Sequence, residues 1–146
     1  MTRVQSVLSR ACIAAVIVLA PAAHADCLDE AAQYQQLSPV LLRAIAQHES
    51  GMRASAVNRN ANGTEDIGLM QINSVHLPRL ARYGITRQSL FNPCVNAYVG
   101  AWVLRDCLDR NGATWNAVGC YNAGAPEKRL RYANRIYQVL LRTQTR

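Results

Sequence analysis

Glu49 is the first side chain in the sequence whose position suggests chemistry. Leu41, Ile45 and Glu49 recur every four residues in the segment Pro39–Ser50, so in a helix they share one apolar, core-facing stripe. Burial and the negative end of the helix dipole both raise the pKa of a carboxyl group. A carboxylic acid that stays protonated near neutral pH is what general-acid cleavage of a glycosidic bond requires. On periodicity alone, an ion pair with an arginine or exposure at the helix end remains the alternative.

The sequence after Glu49 contains two motifs of a known family. The first comprises Glu49-Ser50-Gly51, Asn58-Arg59-Asn60, Asn62-Gly63-Thr64 and Asp66-Ile67-Gly68-Leu69-Met70-Gln71-Ile72-Asn73, and the second is Tyr121-Asn122-Ala123-Gly124. Together they resemble the lysozyme-like lytic transglycosylases. The similarity is greatest to the small, signal-bearing type found beside specialised secretion systems and pili, and it covers about 27–137. It implies a lysozyme-like fold in which a helical domain and a small hairpin lobe form a cleft.

The resemblance also implies a reaction and a set of site residues. Glu49 is the implied acid that protonates the oxygen between N-acetylmuramic acid and N-acetylglucosamine, and then the base that lets the muramic O6 hydroxyl close a 1,6-anhydro ring. The implied substrate-binding residues are Ser50, Met70, Gln71, Asn73, Tyr121 and Asn122. Gln71 and Tyr121 are the stronger candidates, whereas Asn73 is equally a brace for its loop and Met70 is either an acetamide contact or core. Gly68 and Gly124 are expected to permit close backbone approach.

At Asp66 the sequence differs from that of many lytic transglycosylases, which have no second carboxylate at this position. The stretch from Asn58 to Asn73 is also similar to animal c-type lysozymes without a gap, and that alignment places Asp66 on their second catalytic carboxylate. In that family a raised-pKa Glu works beside an ionised Asp. A muramidase that hydrolyses the same bond is therefore the alternative activity, and an inactive peptidoglycan-binding assembly module is a third hypothesis. A turn aspartate that caps the Gly68 loop is the structural alternative for Asp66, and Glu65 is expected to face solvent.

The N-terminal segment and the composition of the chain indicate export. Met1–Arg10 is basic, Ala11–Ala20 is apolar and Ala23-His24-Ala25 offers small residues for cleavage, which together are typical of a signal peptide covering 1–25. We therefore expect a periplasmic or secreted domain, 26–146, without a stable membrane anchor, because the apolar run is about half of the ~20 residues that a spanning helix needs. The net charge of +7, which falls to +5 when Arg3 and Arg10 of the leader are removed, suits an acidic wall polymer, and export argues against nucleic acid. We expect a monomer whose partners are peptidoglycan and, by the resemblance, envelope-spanning secretion or pilus proteins.

The cysteines agree with an oxidising compartment. Cys12 falls in the predicted leader, which leaves Cys27, Cys94, Cys107 and Cys120. Cys94 and Cys107 lie on one predicted helix at a separation of about 19 Å, whereas a disulfide requires Cα atoms within about 7 Å. Two pairings remain. We favour Cys27–Cys94 with Cys107–Cys120, because the second bridge closes a short helical hairpin.

The remaining sequence predicts a mainly α domain of the α+β class. Helices are predicted at Leu28–Gln36, Pro39–Ser50, His76–Tyr83, Arg87–Leu90, Cys94–Arg110, Trp115–Cys120 and from Pro126 to about Thr143, with a hairpin or irregular loop at Asn58–Asp66. The core face of the last helix is predicted to carry Leu130, Ala133, Tyr137, Leu140 and Leu141. We expect Trp102 and Trp115 to be core residues, and His48 and His76 not to be catalytic. No metal ligand set or cofactor motif is present in the sequence.

Overall fold

The computed structural model describes residues 23–144, with side chains for 27–143. Its helices are α1 Ala23–Tyr34, α2 Pro39–Ser50, α3 Leu77–Leu80, α4 Pro93–Asn111, α5 Trp115–Cys120 and α6 Pro126–Gln144, and its strands are β1 Val57–Arg59, β2 Glu65–Ile67 and β3 Ile72–Asn73. Short 3₁₀ turns span Ser74–His76, Ala81–Tyr83 and Gln88–Phe91. The predicted leader lies almost entirely outside the described residues. None of the helices described between 23 and 144 is long and apolar enough to cross a bilayer.

Helix α2 begins and ends where the local sequence predicts. The Ser38 side chain accepts a hydrogen bond from the backbone N–H of Leu41 at 3.4 Å, and Pro39 occupies the first turn. Gly51 follows the helix with a φ of 61°, in the left-handed region that glycine tolerates best. Ile45 is fully buried, so the predicted apolar stripe faces the core and its last member, Glu49, lies in the final helical turn.

The three strands form a small antiparallel sheet in the order β1-β2-β3. Asp66 in β2 lies opposite Asn58 in β1 and opposite Asn73 in β3. Cross-strand partners place their side chains on the same face of a sheet, so this register assembles polar groups around Asp66. The predicted hairpin is confirmed. The third strand was not predicted, because two residues carry no alternating pattern.

Asn96, a fully buried residue of α4, ties the sheet lobe to the helices. Its amide oxygen accepts a hydrogen bond from the Met70 N–H at 2.7 Å, and its amide nitrogen donates to the carbonyls of Ile67 at 2.8 Å and Leu90 at 2.7 Å. Gly68 has a φ of +79° beside this amide, and a Cβ there would lie 2.3 Å from the Asn96 nitrogen. The close approach expected of Gly68 is therefore real, and it fixes the turn between β2 and β3.

Asn96→Ala is expected to destabilise the domain by about 2–4 kcal/mol, because three buried backbone groups lose the side-chain hydrogen bonds that Asn96 makes to them. Urea unfolding of the variant measures this loss. Asn116→Ala is the matched control, since Asn116 is exposed on α5. Equal unfolding midpoints for the two variants would contradict the role of Asn96.

Two disulfides join the helices in the pairing that we favoured. Cys27–Cys94 connects α1 to the start of α4 with a Cα–Cα distance of 5.0 Å, and Cys107–Cys120 connects α4 to the end of α5 with a distance of 5.8 Å. The second bridge holds the α4–α5 hairpin, which leads directly into the Tyr121–Gly124 motif. Both distances lie in the ordinary disulfide range.

The buried face of α6 agrees with the prediction only in part: Ala133 is buried and Leu140 packs partly buried against the core, as expected. Tyr132, Ala133 and Ile136 are buried, whereas Leu130, Tyr137 and Leu141 are respectively 59%, 46% and 40% exposed. The apolar residues of α6 fit more than one helical stripe, and packing against α2 and α5 selects the one that includes Tyr132. The prediction that Trp115 is a core residue is also wrong, because Trp115 is 44% exposed and meets the Tyr137 ring edge-on at 5.5 Å. Trp102 packs against the core as expected.

Candidate active site

Glu49 lies at the end of α2 in a largely desolvated position. The Tyr132 hydroxyl of α6 donates a hydrogen bond to its Oε1 at 2.5 Å. Burial raises the pKa of Glu49 to about 7; the Tyr132 hydrogen bond opposes that rise and the charge of Asp66 adds to it. A large fraction of Glu49 is therefore protonated at neutral pH, which is the form that can act as a general acid.

Asp66 is held by side-chain amides on both of its carboxylate oxygens. Asn73 donates to Oδ1 at 2.7 Å, Asn60 donates to Oδ2 at 3.0 Å and Asn58 makes a longer contact to Oδ2 at 3.5 Å. Amide donors on both oxygens fix the direction of this carboxylate. Asp66 is therefore an oriented carboxylate rather than a simple cap of the Gly68 loop.

The two carboxyl groups face a cleft that extends in both directions from them. A cavity of about 760 Å³ and a second of about 590 Å³ share Glu49, Asp66, Gln71 and Asn122 among their lining residues. Each volume is in the range of a small-ligand site. A cleft that continues on both sides of a carboxyl pair suits a polymer that is cut internally.

Comparison with known proteins identifies the family to which the chain belongs. Residues 26–137 match the family model described as the transglycosylase SLT domain. This chain belongs to the SLT transglycosylase family. It is therefore a peptidoglycan lytic transglycosylase, as the resemblance implied.

The chain is also similar to several named proteins and, in its fold, to one solved structure. The chain is 45% identical to the invasion protein IagB of Salmonella typhimurium over 80% of this chain and 76% of that one. It is 44% identical to protein IpgF of Shigella flexneri over 82% of each chain, and 40% identical to the X polypeptide of Escherichia coli K12 over 78% and 72%. The fold matches a structure of the lytic transglycosylase Slt from Pseudomonas aeruginosa with a TM-score of 0.67 and 23% identity, covering 86% of this chain and 24% of that one. The lysozyme-like fold is thus confirmed.

Four of the other predicted site residues line the cleft of this transglycosylase: Gln71, Asn73, Tyr121 and Asn122. Gln71 has a φ of 50° and its amide nitrogen donates to the carbonyls of Gly68 at 2.9 Å and Ala56 at 3.2 Å. Tyr121 donates its hydroxyl to the Met70 carbonyl at 2.8 Å, and Asn122 is exposed where the two cavities meet. The fourth residue, Asn73, braces its loop by accepting from the Val75 N–H at 3.0 Å and also holds Asp66.

Neither Ser50 nor Met70 lines the two cavities: the implied substrate-binding position of Ser50 is not observed, and Met70 takes the core position that was its alternative. Ser50 is only 3% exposed and donates its hydroxyl to the Leu69 carbonyl at 2.7 Å. Met70 is fully buried, and a Cβ on Gly100 would lie within 2.9 Å of three of its side-chain atoms. Both residues lie in the core beneath the cleft wall. They anchor the turn that carries Gln71. The close backbone approach expected of Gly124 is not observed, since nothing lies within 4 Å of an added Cβ there.

The remaining polar candidates are His48, Glu65 and His76, of which His76 lines the larger cavity and meets the Trp102 ring edge-on at 6.1 Å. His48 packs edge-on against Tyr132 at 5.5 Å, and burial lowers the pKa of both His48 and His76. Glu65 is not the solvent-exposed residue that we expected, because it pairs with Arg87 at 2.7 Å and with Arg59 at 3.5 Å, leaving its side chain 22% exposed. Within the described part of the chain, no group of three or more His, Cys, Asp or Glu residues is placed to hold a metal ion.

Tyr132 is a residue of the site that was not predicted from the sequence. It is 83 positions from Glu49 in the chain, yet its hydroxyl is the hydrogen-bond donor to the acid, and its ring stacks on that of Tyr121 at 6.4 Å. The spacing of Tyr132, Ala133 and Ile136 was the available signal, because it places the tyrosine on a buried helical stripe.

Tyr132→Phe is expected to move the alkaline limb of the pH–rate profile to higher pH. The hydrogen bond lowers the pKa of Glu49, so its loss raises that pKa and extends the range in which the acid is protonated. We also expect kcat/KM at the optimum to fall by about five- to tenfold, since one positioning hydrogen bond is lost. The measurement is the cleavage rate from about pH 5 to about pH 9, a range that spans the expected titration of Glu49. Tyr137→Phe on the same helix is the control. A limb that stays in place or moves to lower pH would refute the role of Tyr132.

Proposed function

We propose that the protein cleaves the β-1,4 bond between N-acetylmuramic acid and N-acetylglucosamine in two proton transfers that both use Glu49. The protonated Glu49 gives its proton to the bridging oxygen, the bond from that oxygen to the muramic C1 breaks, and N-acetylglucosamine leaves with a free 4-hydroxyl. The Glu49 carboxylate then takes the proton of the muramic O6 hydroxyl while O6 bonds to C1. The product carries a 1,6-anhydro end, Glu49 regains its proton and no water is consumed.

The observation that carries this proposal is the state of Glu49 at the junction of the two cavities. Its pKa is raised to about 7 mainly by burial, so near neutral pH both the acid and the base form are accessible to one residue. A pKa close to the working pH is the value that serves both roles best. The structural relative from Pseudomonas aeruginosa is described as an inactive variant in which a glutamate is replaced by glutamine, which is consistent with a glutamate acting in this way.

Asp66 has a supporting role in this mechanism. Positive charge develops on C1 and the ring oxygen as the glycosidic bond breaks, and a fixed carboxylate across the cleft stabilises it. The amide hydrogen bonds from Asn60 and Asn73 keep the Asp66 carboxylate aimed without adding a formal charge. The carboxylate therefore contributes to bond cleavage whichever nucleophile follows.

Asp66 also supports a second candidate function, hydrolysis of the same bond by a muramidase mechanism. In that case the carboxylate assists attack by water, and the product has a reducing end instead of an anhydro end. Mass spectrometry of muropeptides released from purified sacculi separates the two outcomes, because the anhydro product is lighter by one water. We expect anhydro ends. A product with reducing ends alone would show that the protein is a hydrolase and not a lyase.

We further propose that the domain acts in the periplasm or outside the cell, after removal of residues 1–25, and opens the wall locally for a secretion apparatus or pilus. The two disulfides are suited to an oxidising compartment. One relative is named an invasion protein, which agrees with such a setting. N-terminal sequencing of the exported protein tests the cleavage site, with Asp26 as the expected first residue.

A further inference from the structure

One wall of the larger cavity carries positive charge. Arg110, Lys128 and Arg129 line it on the α4 and α6 sides, and we call these three residues the cationic wall. Among the described residues that line the same cavity, the carboxylates are Glu49 and Asp66. The same cavity is therefore lined by two acids and by three cations.

Arg129 is fixed in place by neutral partners. Its Nε donates to the Ala123 carbonyl at 3.0 Å and its Nη1 donates to the Asn111 side-chain oxygen at 3.0 Å. The backbone at Arg129 also packs closely on α5, where a Cβ on Gly119 would lie 2.3 Å from the Arg129 carbonyl oxygen. Because neither acceptor is charged, these contacts hold the guanidinium without cancelling its charge.

Lys128 extends the same wall toward the catalytic acid. It precedes Tyr132 by four residues on α6, so the two side chains project from the same face, about 6 Å apart along the helix axis. Lys128 is exposed, and no ion pair involves it within the part of the chain that the structure describes. Arg110 differs, because Asp106 pairs with it at 2.8 Å. The uncompensated charge of the wall thus comes from Lys128 and Arg129.

We propose that Lys128 and Arg129 bind the carboxylates of the peptide stem carried by the muramic acid in this cavity, so that the enzyme prefers glycan strands with charged stems. This inference rests on the proposed function, since it concerns the same cleft. N-acetylated sugar rings are neutral, so cations beside them have no partner on the rings themselves. The stem begins at the muramic lactyl group and ends in free carboxylates, which are the complementary charges within reach of a flexible lysine.

The test compares two substrates that differ only in charge. Sacculi whose stem carboxylates have been converted to amides retain the glycan and the peptide but lose the negative groups. We expect the wild-type enzyme to cleave native sacculi with a kcat/KM about three- to tenfold higher than amidated sacculi, which is the range for a pair of partly exposed charge contacts. The difference is expected to shrink as salt is raised, because exposed charges are screened.

Variants of Lys128 locate the effect. Lys128→Gln is expected to lower kcat/KM on native sacculi by about threefold and to leave the rate on amidated sacculi unchanged, and Lys128→Arg is expected to restore the preference. Arg82→Gln is the matched control, since it removes one positive charge from an exposed residue that lines neither cavity. Equal wild-type rates on the two substrates, or a control that loses the preference as Lys128→Gln does, would overturn the inference. In both cases anhydro products would still form, whereas an absence of product from both substrates would instead refute the proposed function.

Discussion

Replacing Glu49 with glutamine is expected to lower the rate of anhydromuropeptide release by about a thousandfold, the contribution typical of a general acid that also serves as base. The amide cannot give a proton to the glycosidic oxygen, and it cannot accept one from the O6 hydroxyl. The side chain keeps its shape, and its amide oxygen still accepts the Tyr132 hydrogen bond that Glu49 accepts now. We therefore expect the loss to appear in kcat, with substrate binding retained.

The design of this experiment separates chemistry from folding. Since Glu49 is largely buried and burial disfavours its charged form, the glutamine variant is expected to be as stable as the wild type or more so. Glu30→Gln is the matched control, because it removes an exposed carboxylate from α1, outside the cleft. A Glu49→Gln protein that is folded and still releases muropeptides at the control rate would remove Glu49 from the mechanism. A folded variant that binds sacculi without cutting them would exclude the hypothesis of an inactive binding module for the wild type.

Asp66→Asn is expected to lower kcat/KM by about a hundredfold, because an oriented negative charge beside the developing cation is lost. The same change has a second effect on the pH–rate profile. The charge of Asp66 raises the pKa of Glu49, so its removal lowers that pKa and moves the alkaline limb to lower pH. The shift is opposite in sign to the one expected for Tyr132→Phe, so the pair of variants tests whether both groups act on Glu49.

Glu65→Gln provides the matched control for Asp66. Glu65 precedes Asp66 on β2, but its carboxylate faces Arg59 and Arg87 instead of the cleft. We expect this variant to retain the wild-type rate and the wild-type alkaline limb. If Asp66→Asn also behaved in this way, Asp66 would be a structural residue of the sheet lobe and the muramidase alternative would lose its support.

Local signals in the sequence account for the parts of the fold that were predicted well. Helix α2 has a serine cap, a proline in its first turn and a left-handed glycine after its end, and each of these signals acts within a few residues. The position of Glu49 on a buried stripe follows from that helix alone. The favoured disulfide pairing also rests on local signals. The rise of the helix excluded Cys94–Cys107, and the short separation between Cys107 and Cys120 favoured the bridge between them.

Features that depend on packing between distant segments were predicted poorly. The contact between Tyr132 and Glu49 joins α6 to α2, and nothing near either residue in the sequence specifies it. The apolar residues of α6 allowed several faces, so only tertiary packing could choose the one that buries Tyr132. Met70 illustrates the same limit within a motif, since its position beside Gln71 does not reveal that it points into the core.

The most direct test of the lyase mechanism is digestion of sacculi by the wild-type protein in water labelled with a heavy oxygen isotope. The proposed mechanism closes the muramic ring with its own O6 oxygen, so the released anhydro ends are expected to contain no label from the solvent. Incorporation of one labelled oxygen at each new muramic end during cleavage would mean that water is the nucleophile. That result would contradict the role of Glu49 as the base for the O6 hydroxyl and would assign the cleft to hydrolysis.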